Sequence, residues 1–399
     1  MRLAVLALSA WTATAVGAEF DWRASWDGTL YGYGNRTVLR GDSVLNASNQ
    51  VAGLAQRSAV GELRLNFKAE NETLRLTARA IVAQRDLGNA FGSEPRGEAY
   101  LSQWQVRLRA AEGWHVAAGR DVLNWGPAQF RSPSSPFYFD NGRSDPLREL
   151  VGMDSLKLAW TPDMESSASL VRIVATGYGM AQPDVWRDSW LVKFDHRGDA
   201  WALGLVTVKA PTLPAFYGAH GQSTLSDAWM VYGEISSSAR TLALQPGTDA
   251  TPPFVVQGVS PRRTTALVGA SYAFADGQSL AAEYLYEGHG YTSAQESAYF
   301  QRAVTAPGIA LGWAPRLLGR DYLHLVWQSN LMSEQGYGRL MYTRNLGDGG
   351  NEIAAYGERI LTRQLSAFAL AMLPQGNARQ EFSTLFRCSV TLGLKIALP

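Results

Sequence analysis

The sequence predicts an all-β fold, an up-and-down antiparallel transmembrane β-barrel of about 18 strands, with its third extracellular loop folded inward. Three observations carry this. Apolar and polar residues alternate with a period of two along most of the chain. Tight turns alternate with long loops. A segment with the parts of an export leader precedes the first strand.

Residues 1–18 combine Arg2, an apolar run from Leu3 to Ala10 and a small-residue exit at Val16-Gly17-Ala18. This is the pattern of a signal peptide cleaved after Ala18. It leaves residues 19–399 as a single barrel domain. No later window offers about 18 consecutive apolar residues, so no transmembrane helix is predicted. The net charge of +1 argues against nucleic acid as a partner. Cys388 is the only cysteine, so an intramolecular disulfide is excluded. With 13 Trp, 16 Tyr and 39 Gly, the composition suits many turns and an interface to something apolar.

Along the chain, Leu63, Leu65 and Phe67 alternate with Glu62, Arg64, Asn66 and Lys68. Leu74, Leu76, Ala78, Ala80 and Val82 alternate with Arg75, Thr77 and Arg79, and Trp104, Val106 and Leu108 with Gln105, Arg107 and Arg109. Later strands centre on Val192, Leu203, Val231, Val268, Leu285, Leu325, Met341, Ala355 and Phe368. Thr241–Gln245 and Gly338–Asn345 are the weakest segments, and Phe386–Leu398 is the clearest. Such alternation marks strands with one apolar and one polar face. A soluble sandwich also alternates, but here the polar face holds too many arginines and glutamates for a shared core.

Short turns at 68–71, 111–113, 161–164, 197–199 and 275–277 alternate with longer loops at 39–53, 84–97, 122–150, 210–224, 246–262 and 290–318. A barrel with tight periplasmic turns and long outer loops predicts this asymmetry, with both termini in the periplasm. Trp22, Trp114, Trp160 and Trp201 fall at the short-turn ends of strands, where one interfacial girdle belongs, and Trp190 and Trp229 nearer the other. Cys388 shares parity with Phe386 and Val390 and is read as a small lipid-facing hydrophobe.

The stretch from Gly119 to Leu150 is the candidate constriction. Long loops inside compact domains are uncommon and usually functional. Trp125, Phe130, Arg131, Tyr138, Asp140 and Asp145 are its candidate pore-lining residues. Its aromatics suit either stacking on sugar rings or packing on the inner wall. With polar faces turned to the lumen, Arg64, Arg75, Arg79, Arg107, Arg109, Lys157 and Arg172 form a basic wall, and Glu234, Glu283 and Glu287 an acidic one. Opposed walls orient dipolar solutes and favour anions on the basic side; equally, the charges pair with one another and fill the lumen.

The leader, the alternation and the loop asymmetry resemble bacterial outer-membrane barrels of the large porin type. Around Gly119-Arg120 and Asn124-Trp125-Gly126-Pro127 the chain is also similar to alginate-export and capsule-assembly barrels, in which a strand ending in Gly leads through Trp-Gly into a long loop. The resemblance implies solute passage, polysaccharide export or surface attachment. It also implies contact with outer-membrane lipid and lipopolysaccharide, and with the barrel assembly machinery. The final strand of such barrels ends in an aromatic residue, whereas this chain ends Ile396-Ala397-Leu398-Pro399.

Some outer-membrane barrels are hydrolases, and His324 and Ser329 lie close in sequence. Five residues apart on a strand they point to opposite faces, whereas a nucleophile and its base must meet. No metal-ligand spacing, phosphate loop or nucleophile elbow is present, so no cofactor, metal or enzymatic activity is expected. An outer-membrane channel for polar, anionic solutes or saccharides leads, with an export or attachment barrel as the alternative and a hydrolase third.

Overall fold

The computed structural model describes residues 21–89, 92–138, 143, 145, 147–177, 185–249, 253–330, 333 and 335–398. The leader at 1–18, Asp140 and Pro399 lie outside the described residues.

The wall begins with β1 (Arg23–Leu39), β2 (Arg57–Glu70), β3 (Leu74–Asn89), β4 (Gly92–Ala111), β5 (Trp114–Asp121) and β6 (Met153–Trp160). It continues through β7 (Ser166–Ala175), β8 (Ser189–Arg197), β9 (Trp201–Lys209), β10 (Phe216–Thr224) and β11 (Trp229–Ser238). A separate hairpin, β12 (Thr241–Leu244) and β13 (Val256–Val259), interrupts it. The wall resumes with β14 (Arg263–Ala273), β15 (Ser279–Glu287), β16 (Asp321–Gln328), β17 (Gly336–Asn345), β18 (Asn351–Ile360), β19 (Leu365–Gln375) and β20 (Phe386–Leu398). Each wall strand pairs antiparallel with its neighbour, and β20 pairs with β1 from Leu398↔Gly28 to Phe386↔Leu39, closing an 18-stranded sheet. Closure satisfies every strand edge, which a bilayer requires.

At one end lie the connections β1–β2 (L1), β3–β4 (L2), β5–β6 (L3), β7–β8 (L4), β9–β10 (L5), β11–β14 (L6), β15–β16 (L7), β17–β18 (L8) and β19–β20 (L9). The other end carries the tight turns, the start of β1 and the end of β20. L7 contains two helices that periodicity did not reveal, α1 (Ser293–Ala303) and α2 (Pro307–Trp313). Thr292 caps α1 through a reciprocal box with Gln295, satisfying two orphaned amides.

Several expectations need correction. Residues 84–97 are mostly strand, because β3 and β4 run on to Asn89 and Gly92. Residues 216–224 are wall strand β10, not loop. Its outward residues Ala219, Gly221 and Ser223 supply almost no apolar signal beyond Tyr217. The weak segment at Thr241 belongs to the L6 hairpin and not to the wall. Trp229 opens β11 straight after a tight turn, so it joins the short-turn girdle with Trp114, Trp160 and Trp201. There Trp114 and Trp160 stack with centroids 6.0 Å apart.

Outward residues such as Val106, Val192, Leu203, Leu205, Val268, Leu392 and Leu394 are exposed around the barrel. An apolar surface of this extent faces lipid, not water. Inward Thr391 is buried and accepts from Asn35 Nδ2 at 2.8 Å, whereas its neighbour Leu392 is 61% exposed. An arginine facing the bilayer midplane costs about 2–4 kcal/mol. Leu392→Arg is therefore expected to lower the yield of heat-modifiable barrel more than Thr391→Arg, and equal yields would mean the parity of β20 is reversed.

Candidate functional site: a loop-constricted lumen

L3 enters the barrel because the wall supplies acceptors for its backbone. Glu234 on β11 receives Ala128 N at 3.0 Å on Oε1, and Ser134 N (3.1 Å), Ser132 Oγ (2.6 Å) and Ser134 Oγ (2.8 Å) on Oε2. Glu283 on β15 receives Gln129 N at 2.5 Å, Phe130 N at 2.8 Å and the Tyr232 hydroxyl at 2.7 Å. From the other side Arg143 donates to the carbonyls of Pro127 (2.7 Å) and Ala128 (2.6 Å). Residues 126–130 are thus held by carboxylates at their amides and a guanidinium at their carbonyls, with no regular secondary structure. Charge-assisted bonds of this kind are the strong ones.

Two glycines explain the sequence motif. At Gly119, φ is +148° and a Cβ would stand 2.1 Å from the Trp104 carbonyl oxygen, so only Gly lets β5 approach β4 there. At Gly126, φ is +94° and a Cβ would lie 2.3 Å from Glu234 Oε1.

The loop aromatics pack. Phe130 is buried, stacked on His324 with centroids 4.8 Å apart and against Tyr322 at 6.0 Å, and the Arg131 guanidinium lies 5.1 Å from its ring. Trp125 donates to the Ser134 carbonyl at 2.9 Å, meets Phe137 edge-on at 5.8 Å and has Lys193 Nζ 5.7 Å from its ring. Tyr138 donates to the Val151 carbonyl at 2.9 Å. Asp145 accepts from Leu147 N at 2.9 Å and lines the cavity above the loop. His324 bonds to Thr343 at 2.8 Å and Ser329 to Gly338 at 2.8 Å, each inside its own local structure.

The two charged walls therefore differ from the expected open field. Glu234 and Glu283 lie beneath L3 as its anchors. Glu287 is buried and ion-paired with Arg240 at 3.2 Å. On the opposite side Arg64 meets Glu62 at 2.6 Å and Glu149 at 3.4 Å, and Arg79 meets Glu149 at 3.2 Å. Arg75 faces Glu70 at 3.7 Å. Glu149 comes from L3, so the loop itself neutralises part of the basic wall. Arg107, Arg109 and Lys157 face inward near the tight turns and, among the described residues, have no carboxylate partner.

Arg172 is the clear misplacement. It points outward beside exposed Trp190, 5.1 Å from that ring, and bonds Asp188 Oδ1 at 3.0 Å. Its neighbours Val171 and Ile173 point inward, where they join Leu191, Val206, Val208 and Phe216 in an apolar patch that packs on Leu123 and Phe137 of L3. An apolar patch on the inner wall reverses the polarity rule for that strand.

Above L3 lies a cavity of about 1060 Å³ reaching the long loops. Arg148 of L3, Arg240 of L6 and Arg316 of L7 all line it, beside Glu62, Glu149 and Glu287. Burial lowers the Arg316 pKa, and the charges of Arg240 and Arg148 push it the same way. His289, half-buried beside Arg240, is pushed down to about 4 by burial first and by the charge of Arg240 next. Arg240 and Arg316 sit in loops with no strand alternation, so nothing in the sequence marked them.

No family model matches the sequence, and no curated protein matches it. Solved structures of similar fold include Pseudomonas aeruginosa OccK11 (OpdR), at 12% identity and a TM-score of 0.56 over 95% of this chain and 96% of that one. Pseudomonas aeruginosa OccK5 (OpdH) matches at 8% identity and a TM-score of 0.56 over 94% and 98%. Pseudomonas aeruginosa OprD matches at 11% and 0.53 over 94% and 95%. At these identities the likeness is one of fold, that of the outer-membrane porins.

Proposed function

We propose that the chain is an outer-membrane channel that passes small, polar, anionic solutes through a lumen narrowed by L3. The observation that carries this reading is arginine on both sides of the constriction, Arg148, Arg240 and Arg316 above it and Arg107 and Arg109 below, with Lys157 beside them. A solute crossing the loop leaves one basic cluster and meets another. A low-dielectric wall lends each charge more reach than it has in water. The anionic reading stands ahead of the saccharide one because the aromatics of L3 are engaged in packing. By orientation, L1 to L9 face the exterior and the tight turns the periplasm, after export under the leader.

The test is the reversal potential of the purified protein in planar bilayers under a potassium chloride gradient. Wild type should favour chloride. Replacing Arg148, Arg240 and Arg316 together by Gln should lower the anion-to-cation permeability ratio several-fold. A cation-selective wild type, or an unchanged ratio in the triple variant, would overturn the reading.

A further inference from the structure

Three of the outer loops meet in a buried knot of carboxyl groups. Asn345, at the end of β17, donates from Nδ2 to Glu296 Oε1 of α1 at 2.9 Å and to Glu381 Oε2 of L9 at 2.9 Å. Glu381 also accepts from the Tyr322 hydroxyl at 2.6 Å and from Leu318 N at 2.8 Å. Its own amide donates to Asp348 of L8 at 2.6 Å, and Asp348 accepts from Gly350 N at 2.7 Å. Glu296 is 1% exposed, and among the described residues its Oε2 has no hydrogen-bond partner.

We propose that this knot is a proton-dependent latch on the roof of the vestibule, closed while Glu296 carries a proton and released when Glu296 ionises. The groups facing Glu296 from the packed elements are Asn345 on β17, Asp348 in L8 and Glu381 in L9, with Tyr322 of β16 beside Glu381. Beyond Glu381 stand Glu352 on β18 and then Arg131 of L3. The charges acting on Glu296 are the two neighbouring carboxylates, and the hydrogen bond from Asn345 offsets them only in part. A proton on Oε2 removes a charge that has no counterion. A metal ion fits less well, because the oxygens of Glu381 and Asp348 already accept from amide and hydroxyl donors.

Burial pushes Glu296 up to about 8 and Glu381 up to about 7, and burial also raises Asp348. A carboxyl whose value is raised in the closed state binds its proton more tightly there than in the released state. The stabilisation is then complete below the ordinary carboxylate range and is lost as the pH climbs through about 8. Release reaches the lumen through the chain. Leu318, whose amide Glu381 holds, follows directly on Trp313, Arg316 and Leu317, all of which line the cavity.

Two readouts test the latch, one independent of conduction. Amide exchange across 293–313 in the reconstituted protein, divided by the intrinsic rate at each pH, should stay slow at pH 6 and become at least ten-fold faster at pH 9.5, while Glu296→Gln, which keeps a neutral side chain in place, should stay slow at both on the same scale. In bilayers wild type should turn noisier and more conductive over the same range, and Glu296→Gln should not. A wild type with equal exchange at both values would overturn the latch, as would a Glu296→Gln variant that retains the transition. Restoration of slow exchange at pH 9.5 by calcium in wild type would also overturn it, since the knot would then be a cation site. The exchange measurement stands even if the channel reading fails.

Discussion

Replacing Glu234 and Glu283 together by Ala is expected to release L3 and raise single-channel conductance several-fold, with the barrel still heat-modifiable. The two carboxylates accept from four loop amides, two serine hydroxyls and the hydroxyl of Tyr232, all between 2.5 and 3.1 Å. Each buried donor left without an acceptor costs about 1–3 kcal/mol. Several such losses exceed what the apolar seat of Phe130 can offset, since full burial of a large apolar side chain is worth only about 1.5–3 kcal/mol. The wall strands keep their own ladders, so the effect should be confined to the loop. Conductance and ion selectivity equal to wild type would show that the carboxylates are dispensable and that the loop is positioned by its hydrophobic contacts alone.

The barrel is legible in the sequence because lipid outside and water inside impose period two wherever both solvents touch the wall. That condition holds for β2, β3 and β20, where Leu63, Val82 and Leu392 face out and Arg64, Arg79 and Thr391 face in. It fails where the lumen is dry. On β7, Val171 and Ile173 face L3 and the one arginine goes outward, so polarity alone assigns it to the wrong side. It also fails on β10, whose outward Ala219, Gly221 and Ser223 are too small to signal a lipid face. The wall has the predicted 18 strands, although the expected strand at Thr241–Gln245 lies in L6 and β10 occupies residues expected as loop.

The site was half legible. Length, prolines and aromatics marked L3, and its inward position agrees with the expectation. The roles of its surroundings were not marked, because a glutamate that caps loop amides and one that lines a pore have the same parity on a strand. Glu149 and Arg143 act through tertiary contacts that no local pattern encodes. The acidic Glu296, Asp348 and Glu381 come from the successive loops L7, L8 and L9, with 85 residues between Glu296 and Glu381, and like the loop arginines Arg240 and Arg316 they meet only through tertiary packing.

Charged residues interrupt the apolar outer face at Arg172 and again on β5 and β6, and the second large effect is expected at the latter. Arg120 on β5 and Asp154 on β6 are cross-strand partners with outward parity, joined by two bonds of 2.7 and 2.9 Å, and Arg120 also donates to the Leu101 carbonyl at 2.9 Å. Neighbouring Trp104 and Leu156 are exposed on the same face. Removing one partner leaves a lone charge towards lipid. For an arginine that costs about 2–4 kcal/mol at the midplane and about 0–1 kcal/mol at the interface. Arg120 is the last but one residue of β5, yet β4 continues well beyond it, so a cost of about 2 kcal/mol is expected. Asp154→Leu should therefore lower the folded fraction in urea titrations of the vesicle-inserted protein. Adding Arg120→Leu should restore it to wild type or above, because replacing a paired charge couple by apolar residues is often neutral or stabilising. Equal stability of Asp154→Leu and wild type would place the pair in the aqueous rim. A double variant weaker than either single one would mean that the pair, and not lipid exposure, sets the register between β5 and β6.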